Sequence, residues 1–228
     1  MKTIPSDKPT RVPLTRDRAL EVAVKLSDQG GVELLSMRKL AQELGVEAMS
    51  LYHHVKNKED ILDGMVDLVS SEIELPAYNT DWKEAIRHWA NSLRTVLTRH
   101  PWAIGLMYSR ATPSLTNMQN LNTVIGCLRQ VGFSVQMAAN AISLLDSYIY
   151  GFVLQEVNLP FGDATEFAEG VEGVAQQLSP DEFPYLIELS SELVLQPGYS
   201  YGNQFHFGFD LILESLDGHL KTSLNASR

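Results

Sequence analysis

At 228 residues and 44% hydrophobic composition, the chain is long enough to bury a substantial core in one or two domains. Its one cysteine, Cys127 within the apolar run 124–128, excludes an internal disulfide and points to a reducing compartment. The net charge of −10 argues against a general polyanion coat, which needs an excess of Lys and Arg. Yet residues 1–58 carry ten Lys or Arg against seven Asp or Glu, and residues 59–228 carry eight against 21, so any DNA contact is expected in the first quarter of the chain.

Taken in chain order, segment 1–18 is polar and basic with no apolar run, which predicts neither a secretory signal nor a membrane anchor. Lys8, Arg11, Arg16 and Arg18 give it the character of a flexible basic arm. A first helix is predicted over 15–28, with Thr15 as N-cap, Leu20, Ala23, Val24 and Ser27 on one face, and Gly30-Gly31 as its stop. A second follows over 37–44: Ser36 caps it, Met37, Leu40, Ala41 and Leu44 recur at helical spacing, and Gly45 can take a left-handed turn. A short third helix is expected over about 47–53, and Asn57 caps a fourth whose inward stripe is Ile61, Leu62, Met65 and Val69. The stretch 75–81 breaks the pattern and introduces a new capping site, dividing the chain into domains 1–75 and 76–228.

Beyond that break, helices are predicted at about 81–98, 102–108, 114–131, 135–157, 181–195 and 202–220, punctuated by Pro101, Pro113, Gly132, Pro160, Pro180 and Pro197. The acidic run with Gly162, Gly170 and Gly173 reads as a weakly helical, mobile excursion. The apolar stretch 138–154 is interrupted by Asn140, Asp146 and Ser147 and suits a buried helix better than a membrane span. No strand-like alternation or internal repeat recurs, so the fold is expected to be all-α, soluble and cytoplasmic.

Residues 36–58 have the layout of a helix-turn-helix, whose second helix enters a major groove about 12 Å wide. Leu40, Ala41 and Leu44 would pack the first of the two helices inward, and Val46, Leu51 and Val55 would anchor the second. Glu47, Ala48, Met49, Ser50, Tyr52 and His54 are left facing outward. Arg38, Tyr52, His54 and Lys58 suit phosphate or base-edge hydrogen bonds. Periodicity by itself is not specific and also fits three packed amphipathic helices with no DNA role.

The string from Ser36 to Asp63 contains the Leu44-Gly45-Val46 turn, Leu51-Tyr52, His54-Val55 and Lys56-Asn57-Lys58, and it resembles the DNA-binding domain of the tetracycline-repressor (TetR) family. Trp82, Leu93, the turn 99–102, Gly132-Phe133-Ser134, residues 145–148 and residues 151–154 are similar to that family's tetracycline-repressor-type C-terminal domain. The resemblance implies an N-terminal three-helix DNA-binding domain and a C-terminal helical domain for effector binding and dimerisation. It also implies that Arg38, Ser50, Tyr52, His54 and Lys58 contact double-stranded operator DNA. Ala48 and Met49 stand where the family's namesake has Gln and Pro, and they suit apolar contact with thymine methyls.

Ala138, Ile142, Leu145, Ile149 and Phe152 form one apolar stripe, and Phe205, Phe209, Ile212 and Leu216 form another. Two such helices per subunit could build a four-helix dimer interface or face the subunit's own core; the family resemblance favours a homodimer interface, which also places two heads on half-sites one DNA turn apart. Trp89, Leu93, Trp102, Met107, Leu128, Tyr148 and Gln155 have the makeup of a small-molecule pocket for a largely apolar effector, although each equally suits plain core. The positions of the namesake's drug-associated metal ligands fall on Glu74, Met107 and Gln155, a set unsuited to a hard cation. His53 and His54, about 100° apart on a helix, do not converge on a metal. No metal, cofactor or enzymatic motif is expected. The reading is a ligand-responsive regulator, a repressor released from its operator by a small molecule, with a helical small-molecule-binding protein lacking DNA binding as the alternative.

Overall fold

The computed structural model describes residues 13–78, 80–109, 114–160 and 164–226, and they form helices with no strand among them. Eleven α-helices are present in these residues: α1 (Arg16–Gly30), α2 (Met37–Leu44), α3 (Ala48–Leu51), α4 (Lys58–Ser71), α5 (Trp82–Arg99), α6 (Pro101–Ser109), α7 (Leu115–Gln130), α8 (Val135–Val157), α9 (Ala164–Ala175), α10 (Pro184–Leu189) and α11 (Gln204–Ala226). They assemble into two compact units, the first holding the residues up to Glu72 together with Trp102–Asn117, the second Ile73–Pro101 and the chain from Met118 onward.

In the first unit the helix starts follow from local chemistry. Oxygens of Thr15, Ser36 and Asn57 accept from the backbone N–H of Arg18, Lys39 and Asp60 at 3.2, 3.2 and 2.9 Å, satisfying donors that the first turn leaves without helical partners. Ala19, Leu20, Ala23 and Val24 of α1, Leu40, Ala41 and Leu44 of α2, Leu51, and Ile61, Met65 and Val69 of α4 form the core. Trp102, Ala103 and Ile104 of α6 are buried as well, and the Trp102 indole Nε1 donates to an Asp28 carboxylate oxygen at 2.7 Å. Beside the single break expected at 75, contacts of α6 group Trp102–Asn117 with the N-terminal unit, and the chain leaves that unit again after Asn117.

In the second unit α8 packs against both α5 and α11. Asp81 caps α5, accepting from the N–H of Lys83 at 2.9 Å, and Ser134 caps α8 through Met137 at 3.1 Å. Leu145, Ile149, Phe152, Phe205, Phe209 and Leu216 are buried within the single chain, while Ile142 and Ile212 are half-buried. This corrects the interface expectation for the buried six: packing of α8 with α5 and α11 consumes the stripes, and the large apolar side chains that α8 and α11 expose are Val135, Leu144, Leu154, Phe207, Leu211 and Leu224. A second correction concerns the acidic run, where Ala164–Ala175 is helix α9, packed against the π-helical turn Ser190–Val194.

Candidate nucleic-acid interface

The reading head is set by one turn. Gly45 sits at φ 67°, ψ 35°, a left-handed conformation that glycine adopts without a Cβ penalty. The N–H groups of Gly45 and Val46 donate to the carbonyls of Gln42 at 3.1 Å and Ala41 at 3.0 Å, closing α2 and aiming the chain into α3. Leu51 is fully buried and Val55 nearly so. These anchors hold α3 as a short element that ends at Leu51 rather than near 53. The following turn is held by the N–H groups of His54 and Val55, both donating to the Leu51 carbonyl at 2.9 and 3.0 Å.

Around those anchors Glu47, Met49, Tyr52, His53 and His54 are exposed, and Ala48 and Ser50 are half-buried. Met49 is 73% exposed, while Leu51 of the same short helix is buried. Arg38 stands exposed on the first turn of α2, and Lys58 is half-buried at the start of α4. The predicted base and phosphate contacts therefore occupy one continuous stretch of surface elements, from α2 through the turn into α4. Lys8 and Arg11 of the basic arm lie outside the described residues.

A clamp at the head's exit went unread in the sequence. The Asp60 carboxylate accepts from the Lys56 backbone N–H at 2.9 Å and from the Arg16 guanidinium at 2.8 Å, which hold its pKa below the ordinary 3.8. The local signal was available, since Asn57 followed three residues later by an acid is a capping box in form; the tie to Arg16, 44 positions away, had none.

The expected effector residues divide. Trp102 and Met107 belong to the first unit and Trp89, Leu93, Leu128, Tyr148 and Gln155 to the second. Trp89, Leu93 and Leu128 are buried. The Tyr148 hydroxyl, its pKa raised by burial, donates to the Phe205 carbonyl at 2.9 Å, and its ring lies 5.6 Å from that of Phe205 and 6.0 Å from those of Phe152 and Phe209. Gln155 is exposed and accepts from the Tyr201 hydroxyl at 2.7 Å. Tyr148 thus serves packing between α8 and α11.

A cleft of about 720 Å³ in the second unit is lined instead by Asn91, Arg94, Thr95, Thr98, Arg99, Glu156 and His206, none of them anticipated. Arg94 forms a bidentate pair with Glu156 at 2.9 and 2.5 Å and lies over the rings of Phe152 and Phe205 at 5.2 and 4.8 Å. Periodicity marks the opposite, apolar face of α5 and is silent about this polar one. Of the three positions matching the namesake's metal ligands, Glu74 pairs with His88 at 2.5 Å. Among the described residues no group of three or more His, Cys, Asp or Glu could hold a metal ion.

Comparison with known proteins matches two consecutive stretches of the chain. Residues 19–65 match the family model described as bacterial regulatory proteins, tetR family, and residues 75–219 match the tetracyclin repressor-like C-terminal domain. The HTH-type transcriptional repressor DrrR1 of Streptomyces coeruleorubidus is 33% identical over 225 residues, covering 92% of this chain and 81% of the relative. The class D tetracycline repressor protein of Escherichia coli is 31% identical over 146 residues, 63% of this chain and 66% of that protein. The structure of ActR from Streptomyces coelicolor in complex with actinorhodin aligns over 92% of this chain and 99% of its own, with a TM-score of 0.74 at 28% identity. With the helix-turn-helix, the helical body and matches over both, the chain belongs to the TetR family and is a DNA-binding transcriptional regulator.

Proposed function

We propose that the protein is a homodimeric cytoplasmic repressor, without catalytic activity, that leaves its operator when a small molecule binds its C-terminal body. The observation that carries this reading is the exposed set Met49, Tyr52 and His54 around the buried anchor Leu51, with Arg38 and Lys58 beside it. Leu144, Leu154, Phe207 and Leu211, exposed on α8 and α11, supply the apolar surface for dimerisation. A stable interface of this kind buries about 800 Å² per partner.

The effector is taken in the body, and α4 carries the response to the head. A ligand moves operator occupancy only by its differential affinity for the two states, and passing from 99:1 to 1:99 takes roughly 5.5 kcal/mol. The test is a mobility shift on duplexes selected by the full-length protein from a random library, followed by titration with actinorhodin as the first probe and a panel of other aromatic compounds. Specific low-salt binding, weakened by Tyr52→Phe with helicity and dimer mass unchanged, supports the reading. Failure to select any sequence overturns it.

A further inference from the structure

From Glu47 to His54 the chain has no Arg, Lys, Asn or Gln, the side chains whose bidentate hydrogen bonds identify guanine and adenine. The outward side of α3 offers Met49, 73% exposed, with Ala48 next to it and the half-buried Ser50 following. Fully buried Leu51 and nearly buried Val55 hold the backbone beneath them, so the apolar tip is presented from a fixed base. A thioether is soft and adaptable, and the apolar feature of a base edge in the major groove is a methyl group on C5 of a pyrimidine. A serine hydroxyl can donate to the O4 of thymine or accept from the N4 amino group of cytosine, so Ser50 does not discriminate between the two pyrimidines.

We infer that this head recognises the C5-methyl group itself. At the step facing Met49 and Ala48, thymine and 5-methylcytosine are bound alike, whereas uracil and unmodified cytosine are bound weakly, which makes the regulator responsive to cytosine C5 methylation of its site. The inference rests on the DNA-reading role proposed for the head and adds to it which chemical group is read.

The experiment uses the full-length protein and a fluorescent duplex carrying its selected operator. Each thymine is replaced singly by deoxyuridine, which removes one methyl and leaves every hydrogen bond of the pair intact. Loss of about fourfold in affinity per methyl at one step of each half-site is expected, from about 0.8 kcal/mol per buried CH2. Cytosine at that step is expected to bind weakly and 5-methylcytosine to restore binding to the thymine level. Met49→Ala, at an exposed position, is expected to make thymine and deoxyuridine duplexes equivalent. Deoxyuridine substitution without effect anywhere, while Tyr52→Phe still weakens binding, overturns the methyl reading and leaves the head on DNA. Absence of any selected sequence overturns both.

Discussion

Asp60 decides how α4 starts. Its carboxylate gathers the Lys56 N–H and the Arg16 guanidinium, and both favour the charged form, so the folded-state pKa lies below the ordinary 3.8. For an acid lowered in this way, the stabilising contribution is present above the unfolded value and is lost as pH falls through the folded one. Asp60→Asn is therefore expected to unfold at lower urea than the parent at pH 7, with the gap closing as pH is taken below about 4; a gap that stays constant over that range refutes the linkage. The same residue marks where sequence reading stops. Asn57 as a cap was legible because its acceptor and donor lie three residues apart. The partner Arg16, distant along the chain, becomes visible only once α1 and α4 are packed. Leu51 and Val55 were legible as anchors because burial leaves an apolar period. Met49 as an outward tip followed from the same period.

Among the elements, α8 and α11 show why a periodic stripe identifies what is buried but not by what. Phe205, Phe209, Leu145 and Ile149 were correctly read as apolar and one-sided, yet the covering surface is the subunit itself. Phe205→Ala is accordingly expected to lower the stability of the fold by about 3–5 kcal/mol in urea unfolding, and dissociation of a dimer without loss of fold would contradict the core placement. The close approach of the two helices has its own requirement at Gly208, where an added Cβ would fall on the Tyr148 ring. That ring is held by Phe152, Phe205 and Phe209 and by its hydroxyl, so it cannot swing away. Gly208→Ala is expected to cost about 1–3 kcal/mol in overpacking, partly offset by a helix-propensity gain of about 1 kcal/mol, a net loss that chemical unfolding would register. Helix α9 was missed for the converse reason. Its glycines lower intrinsic propensity, but tertiary contact supplies what propensity lacks: it packs on the π-helical turn, and Phe167 stacks on Tyr199 at 6.0 Å.

At the scale of the molecule, the positive balance of residues 1–58 against the acidic remainder confines phosphate neutralisation to the heads. Operator affinity is expected to fall with salt, with Lys58→Ala reducing the slope of log K against log salt by about 0.9 for each phosphate that the lysine neutralises; an unchanged slope would place Lys58 away from the backbone. The division into units also bears on how the molecule is made. Trp102–Asn117 completes the first unit, and Trp102 is bonded to Asp28. During synthesis the contacts that α6 makes with this unit form only after Trp102 has left the ribosome, well behind Glu72. Excising it as a fragment ending at 72 would remove part of its own interior. A head grafted onto another body keeps the Trp102–Asp28 bond only if both stretches of chain are carried.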